Sequence, residues 1–201
     1  MTAQSNYLAG KRTEIHPYKT REGGATVTVF VPYNCLNNCP FCINKAEYEN
    51  PEGFSADKIC ESIRRMDAIT PYCDFVFTGG EPFADLNVLQ QMLDEIPKTH
   101  KVYINTTLPV SKFQTEDDIV RFTEKNKDKI TCINVSRHMQ HYVVESNDGL
   151  LKRLAVPFRI NCVLYKDYPK QDMIPYLERF RLIPGASIQF RFDYTETTPE
   201  N

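Results

Sequence analysis

Cys35, Cys39 and Cys42 fall within the stretch Cys35-Leu36-Asn37-Asn38-Cys39-Pro40-Phe41-Cys42. Three thiolates at C-x3-C-x2-C spacing can reach one metal centre. Two chemistries suit them. A structural zinc ion takes four protein ligands in a tetrahedron. A cubane iron–sulfur cluster takes one thiolate per iron, normally four. No C-x2-C partner stands elsewhere in the chain, so a cubane held here keeps one iron open to a ligand that is not protein. Unligated thiols are the third reading of the same residues.

A second motif, Phe77-Thr78-Gly79-Gly80-Glu81-Pro82, follows downstream. Its glycines lack Cβ atoms, so the backbone can turn sharply and approach a ligand closely. A lone Gly-Gly is usually just a turn. Set behind the cysteine loop, the segment resembles the radical SAM superfamily. The resemblance implies that Cys35, Cys39 and Cys42 bind a [4Fe-4S] cluster. It implies that S-adenosylmethionine (SAM) chelates the fourth iron through its amino and carboxylate groups. Phe41 then packs by the adenine, and Gly79, Gly80, Glu81 and Pro82 receive the amino group.

Weaker matches follow the same pattern. Asn105-Thr106-Thr107-Leu108 resembles the family's T-N-G-T-L segment, with Thr106 where glycine is usual. Ser136 matches a serine that contacts the ribose or carboxylate of SAM. His138 stands where some members carry an acid two residues on. Asn161 matches a polar strand-five residue near SAM. Each is equally readable as an ordinary strand-end hydrogen-bonding residue. Arg137, His138, His141, Arg159 and Arg191 are candidates for holding an anionic substrate, since the guanidinium fork suits carboxylate or phosphate. The plain alternative is that they meet solvent or a neighbouring acid.

The elements that must position these residues are legible in the hydrophobic pattern. β-branched and aromatic runs predict strands starting near residues 26, 73, 101, 130, 157 and 187. Helical patterns lie over 55–69, 85–95, 115–127, 145–154 and 172–181. Ser55 can cap the first helix, and Thr115 before Glu116, Asp117 and Asp118 gives the third a cap and an acidic first turn. The strand starts recur at about the 31 residues of a (β/α)8 unit. The first interval is longer by a cluster loop. The expected fold is α/β, a partial (β/α)6 TIM barrel with parallel strands. The resemblance implies the same core. Residues 1–25 read as an irregular lead-in and 26–201 as the core domain. Parallel α/β folds carry their chemistry at strand C-termini, and every motif above follows a strand.

The 201 residues are 41% hydrophobic and 25% charged, as in an ordinary globular core, and the net charge of −2 provides no global field for nucleic acid or anionic membrane. No apolar run approaches the ~20 residues of a membrane helix, and residues 1–11 carry no apolar signal segment. Seven cysteines, an odd number with three reserved by the loop, argue for a reducing cytoplasm. Cys60, Cys73, Cys132 and Cys162 read as buried free thiols. The run from Glu124 to Lys129 reads as a solvated helix end.

The expected activity, implied by the resemblance, is reductive cleavage of SAM at the cluster to a 5′-deoxyadenosyl radical. That radical abstracts hydrogen from a small polar or anionic substrate, nucleotide- or pterin-like. An external one-electron reductant of flavodoxin or ferredoxin type supplies the electron, and no side chain is required as an initiating base. Two alternatives stay open: an activase or modifying enzyme acting on a protein or peptide, and a non-enzymatic zinc or iron–sulfur module. No second cysteine cluster follows Cys162, so the auxiliary-cluster domain of many peptide-modifying relatives is not expected here. A further C-terminal segment that closes the barrel is left open.

Overall fold

The computed structural model describes residues 24–44, 55–138, 148–165 and 170–193. Six strands, β1 (Ala25–Phe30), β2 (Cys73–Thr78), β3 (Lys101–Thr106), β4 (Cys132–Ser136), β5 (Phe158–Leu164) and β6 (Ile188–Phe192), form one sheet in chain order. All five pairings are parallel. The helices are α1 (Ala56–Ile69), α2 (Leu86–Asp94), α3 (Glu116–Lys125) and α4 (Met173–Arg181). This is the α/β architecture of parallel strands with intervening helices that the sequence pattern leads one to expect. Residues 1–23 of the expected lead-in lie outside the described residues, and β1 already begins at Ala25.

Strand alternation sorts the side chains. Phe75, Phe77, Val102, Ile104, Ile133, Val135, Ile160 and Cys162 face the helices and are completely buried. Burying one large apolar side chain of this kind contributes roughly 1.5–3 kcal/mol. From the helices, Ile63, Leu89, Leu93, Ile119 and Phe180 complete the same core. The opposite, inner face carries polar rows in register: Asn105, Asn134 and Arg159 in one, Ser136, Asn161 and Gln189 in the next. Polar residues on the concave face, apolar ones under the helices, mark which side holds the chemistry.

The helix starts follow the expected capping. The Ser55 hydroxyl accepts from the Lys58 amide at 3.3 Å. Thr115 and Asp118 form a reciprocal capping box, and those hydrogen bonds hold the Asp118 carboxyl below its usual range. Asp85, read from sequence as helical, instead caps α2 by accepting from the Asn87 and Val88 amides, both at 3.0 Å. The helix expected over 145–154 is a 3-10 helix, Asp148–Arg153. Gly149 in its first turn disfavours the α-helix, and the six-residue span is too short for it to be stable alone.

Among the described residues β1 and β6 each have one neighbour, so the sheet is an arc and not a closed ring. Its curvature is nonetheless large enough that residues following β1 and residues of β6 line one cleft. Among the described residues no helix is long and apolar enough to cross a membrane. All seven cysteines are free; Cys60, Cys73 and Cys162 are buried and Cys132 is partly so.

Candidate functional site

The cysteine loop leaves the top of β1 and is pinned at its start. The Val31 amide extends the ladder to the Thr78 carbonyl at 3.1 Å. The Tyr33 hydroxyl donates to the Pro82 carbonyl at 2.7 Å, tying the loop to the segment after β2. The Cys35 sulfur accepts from the Asn37 amide at 3.3 Å, and the Cys42 amide closes a turn onto the Cys39 carbonyl at 3.2 Å. Burial raises the Cys35 pKa, the Asn37 hydrogen bonds oppose it, and the Glu81 and Cys42 charges add to the rise. Loading iron here therefore releases protons.

Gly79 and Gly80 have separate jobs. Gly79 takes φ = +86°, a left-handed conformation that suits glycine. A Cβ on Gly80 would lie 2.0 Å from the Tyr33 carbonyl oxygen and 2.8 Å from the Asn34 carbonyl carbon. The close approach expected for a ligand is thus made, at Gly80, by the cysteine loop's own backbone.

Glu81 is buried and saturated. Its carboxylate accepts from the Phe83 amide at 3.0 Å, from the Thr107 amide and hydroxyl, both at 2.8 Å, and from the Thr106 hydroxyl. Burial raises its pKa against those four donors. Thr106, in place of the expected glycine, turns its hydroxyl to Glu81 and also accepts from the Leu108 amide at 2.8 Å. Leu108 then adopts φ = +54° while completely buried.

An open cleft of about 230 Å³ brings most of the candidates together. Cys35, Cys39, Cys42, Phe41, Gly79, Gly80, Glu81, Asn105, Ser136, His138, Asn161 and Arg191 all line it. Pro82 does not; it is buried as the first residue of a 3-10 turn. Arg159 lies one row below, donating to Asn134 Oδ1 at 2.8 Å, and Asn134 donates to Asn105 Oδ1 at 2.8 Å. His141 lies outside the described residues.

Arg137 is the clearest departure from expectation. Its side chain is completely buried and faces away from the cleft. It donates to the Thr107 carbonyl at 2.7 Å and the Ser136 carbonyl at 3.0 Å, and pairs with Asp148 at 3.4 Å. Asp148 also accepts from Arg179 of α4, at 2.9 Å to Oδ1. An arginine so engaged holds strand ends together and is not presented to a substrate.

His138 lines the cleft but carries no charge at neutral pH. Burial, helped by the Arg137 charge, lowers its pKa to about 4. Its Nδ1 accepts from the Val163 amide at 3.3 Å, which leaves the proton on Nε2. The ring stands edge-on to Phe41 at 4.6 Å, and Phe41 stacks on Tyr165 at 5.3 Å. The unfolded chain takes up the imidazole proton first, so the stability this site contributes is whole above pH 6.5 and is lost as pH falls toward 4. The loss amounts to roughly 3 kcal/mol. Glu81, raised, works with the opposite sign. Urea denaturation of wild type and His138→Gln across this range should give a difference curve that slopes over that window; parallel profiles would refute the assignment.

Three free thiols on one cleft are the donor chemistry that an iron–sulfur cluster uses. Among the described residues no three His, Cys, Asp or Glu side chains are gathered to hold a single metal ion. Asn161 Oδ1 is buried without a hydrogen-bond partner on the same cleft, an acceptor that a bound polar group would satisfy. Thr107 lines the site and enters the sequence reading only as part of the Asn105-Thr106-Thr107-Leu108 segment; Asn134 and Asp148, which support it from behind, are not among the sequence candidates. Asn134 has a signal all the same: a polar residue in an apolar strand, two before Ser136 and hence on its face.

A family described as "4Fe-4S single cluster domain" matches residues 22–142. Comparison with curated proteins finds no match. Among solved structures, the chain is similar to native anSMEcpe with bound AdoMet and Kp18Cys peptide, at 17% identity and a TM-score of 0.64 over 89% of this chain and 54% of that one. The same protein with Cp18Cys peptide gives 19% and 0.62 over the same shares. SuiB from Streptococcus suis gives 14% and 0.59 over 96% of this chain and 50% of that one. The chain spans about half the length of these structures, and at such identities the likeness is one of fold.

Proposed function

The chain belongs to the 4Fe-4S single cluster domain family, and from that membership we propose that it is a radical SAM enzyme. The observation that carries the reading is the opening of Cys35, Cys39 and Cys42 onto the cleft that Gly79, Gly80 and Glu81 also line. When bound, the cluster supplies the electron that cleaves SAM to methionine and a hydrogen-abstracting 5′-deoxyadenosyl radical.

The chain's own residues do the rest. Cys35, Cys39 and Cys42 would hold the cluster, with SAM as its ligand that is not protein. Gly79 and Gly80 line the cleft where the amino group of SAM would sit, beside Glu81, whose carboxylate is occupied within the protein. Phe41, stacked on Tyr165, offers a face to the adenine. Ser136 and Asn161 stand in register on the opposite wall as hydrogen-bonding groups for the ribose or carboxylate. His138 contributes a neutral Nε2–H donor. The reductant is an external one-electron carrier of flavodoxin or ferredoxin type.

For the substrate, the cleft favours a peptide. The convergence of Arg and His expected for a small anion reduces, among the described residues, to Arg191 and the uncharged His138. The rim is apolar instead: Ile43 is 59% exposed and Phe192 71%. A peptide is also what two of the matched structures hold, in anSMEcpe. A small polar or anionic substrate keeps the support of Arg191 and of the His138 Nε2–H donor.

Anaerobic reconstitution with iron and sulfide, then dithionite and SAM, tests the reading. Wild type should turn brown and release 5′-deoxyadenosine, and Cys39→Ala should lose both. Stoichiometric zinc in a colourless protein would end it. Transfer of deuterium into 5′-deoxyadenosine from labelled peptides, and not from nucleotides, would separate the two substrate classes.

A further inference from the structure

We propose that Thr107 is a positioning residue for the cluster: through Asn37 it fixes the loop whose amide hydrogen-bonds the Cys35 sulfur. The inference rests on the reading that the three thiolates carry a cluster. Thr107 is buried at the end of β3 and held on several sides. Its amide and hydroxyl both donate to Glu81 Oε2 at 2.8 Å. Its carbonyl accepts from buried Arg137 at 2.7 Å. A hydroxyl has one proton, and that proton is committed to Glu81. Its remaining lone pair accepts from Asn37 Nδ2 at 3.4 Å.

Asn37 lies between the first two cysteines, and its own amide donates to Cys35 Sγ at 3.3 Å. The path is therefore continuous from a fixed strand end to a cluster-ligating sulfur. A thiolate that accepts an amide hydrogen bond stabilises the more negative, reduced cluster and raises its potential. Outer-shell partners of this kind orient ligands and tune the metal. Without the Thr107 acceptor the Asn37 side chain loses one of its hydrogen bonds, the amide drifts from the sulfur, and the potential falls.

Redox titration of the reconstituted protein without SAM, followed by electron paramagnetic resonance, reads this directly. Thr107→Val and Asn37→Ala should each move the midpoint potential to a more negative value by similar amounts. The double variant should move no further than either single one. Thr107→Ser, which keeps the hydroxyl, should titrate with wild type. Wild-type potentials in both Thr107→Val and Asn37→Ala, or fully additive shifts in the double variant, would overturn the proposal. Should Thr107→Val fail to fold, Thr107→Ala, which also lacks the hydroxyl, takes its place. A wild-type chain that takes up no cluster overturns the enzyme reading and this inference together. A loaded wild type with unshifted variants overturns the inference only.

Discussion

Gly80→Ala should unseat the cysteine loop. The new methyl group would meet the Tyr33 carbonyl oxygen at 2.0 Å and the Asn34 carbonyl carbon at 2.8 Å, both backbone atoms that no rotamer change can move. Tyr33 cannot yield easily, since its hydroxyl is fixed to the Pro82 carbonyl at 2.7 Å. Nor can the segment after β2, since Glu81 is anchored in β3 by Thr106 and Thr107. Overpacking of this kind costs roughly 1–3 kcal/mol, and a backbone clash belongs at the upper end. Cys35 follows Asn34 directly, so the same displacement moves the first ligand. A lower urea midpoint with loss of most bound iron after reconstitution is the expected result. Full iron at an unchanged midpoint would show that the two segments are not in contact.

Asp148→Ala should be the most destabilising single charge deletion in the described fold. Arg137 has no exposure, and among the described residues Asp148 is an acid that pairs with it. Removing one partner of a buried ion pair costs about 3–5 kcal/mol. The asymmetry with the neighbouring pair sharpens the test. Arg179 is about one-third exposed, and its loss leaves Asp148 still paired with Arg137. Arg179→Ala should therefore cost only about 1 kcal/mol or less. Thermal or urea unfolding of the two variants side by side checks the ratio. Equal losses would mean that Arg137 finds its compensation elsewhere.

How much of this was legible depends on how local the determinant is. Six parallel strands follow from β-branched runs at barrel spacing, and the Thr115 cap with its acidic first turn from four adjacent residues. The cysteine spacing and the Gly79-Gly80-Glu81-Pro82 segment are likewise written in contiguous residues. Arg137 was misplaced for a reason visible in hindsight. Ser136 and His138 share one face by the two-residue period, so the residue between them faces the other way. Arg159 shares the inner face with Asn161 but sits a full row deeper, which only the strand register reveals. What stayed illegible was tertiary. Nothing near Gly80 says that its neighbour is Tyr33, and nothing near Asp148 says that it answers two arginines. The left-handed Leu108 is not a glycine or an asparagine, so no residue type announced it.

The unpaired flanks of the arc bear on how a substrate arrives. A closed eight-stranded barrel is entered only through its mouth, which limits what can reach the centre to groups that fit end-on. Among the described residues the first and last strands are unpaired on their outer sides, and Phe192 stands exposed at the margin of β6. On the proposal of a peptide substrate, a long chain would lie across that margin with one residue dipping inward, its two ends continuing out into solvent. Length would then be no obstacle to turnover, and selectivity would fall on the few side chains flanking the reacting position.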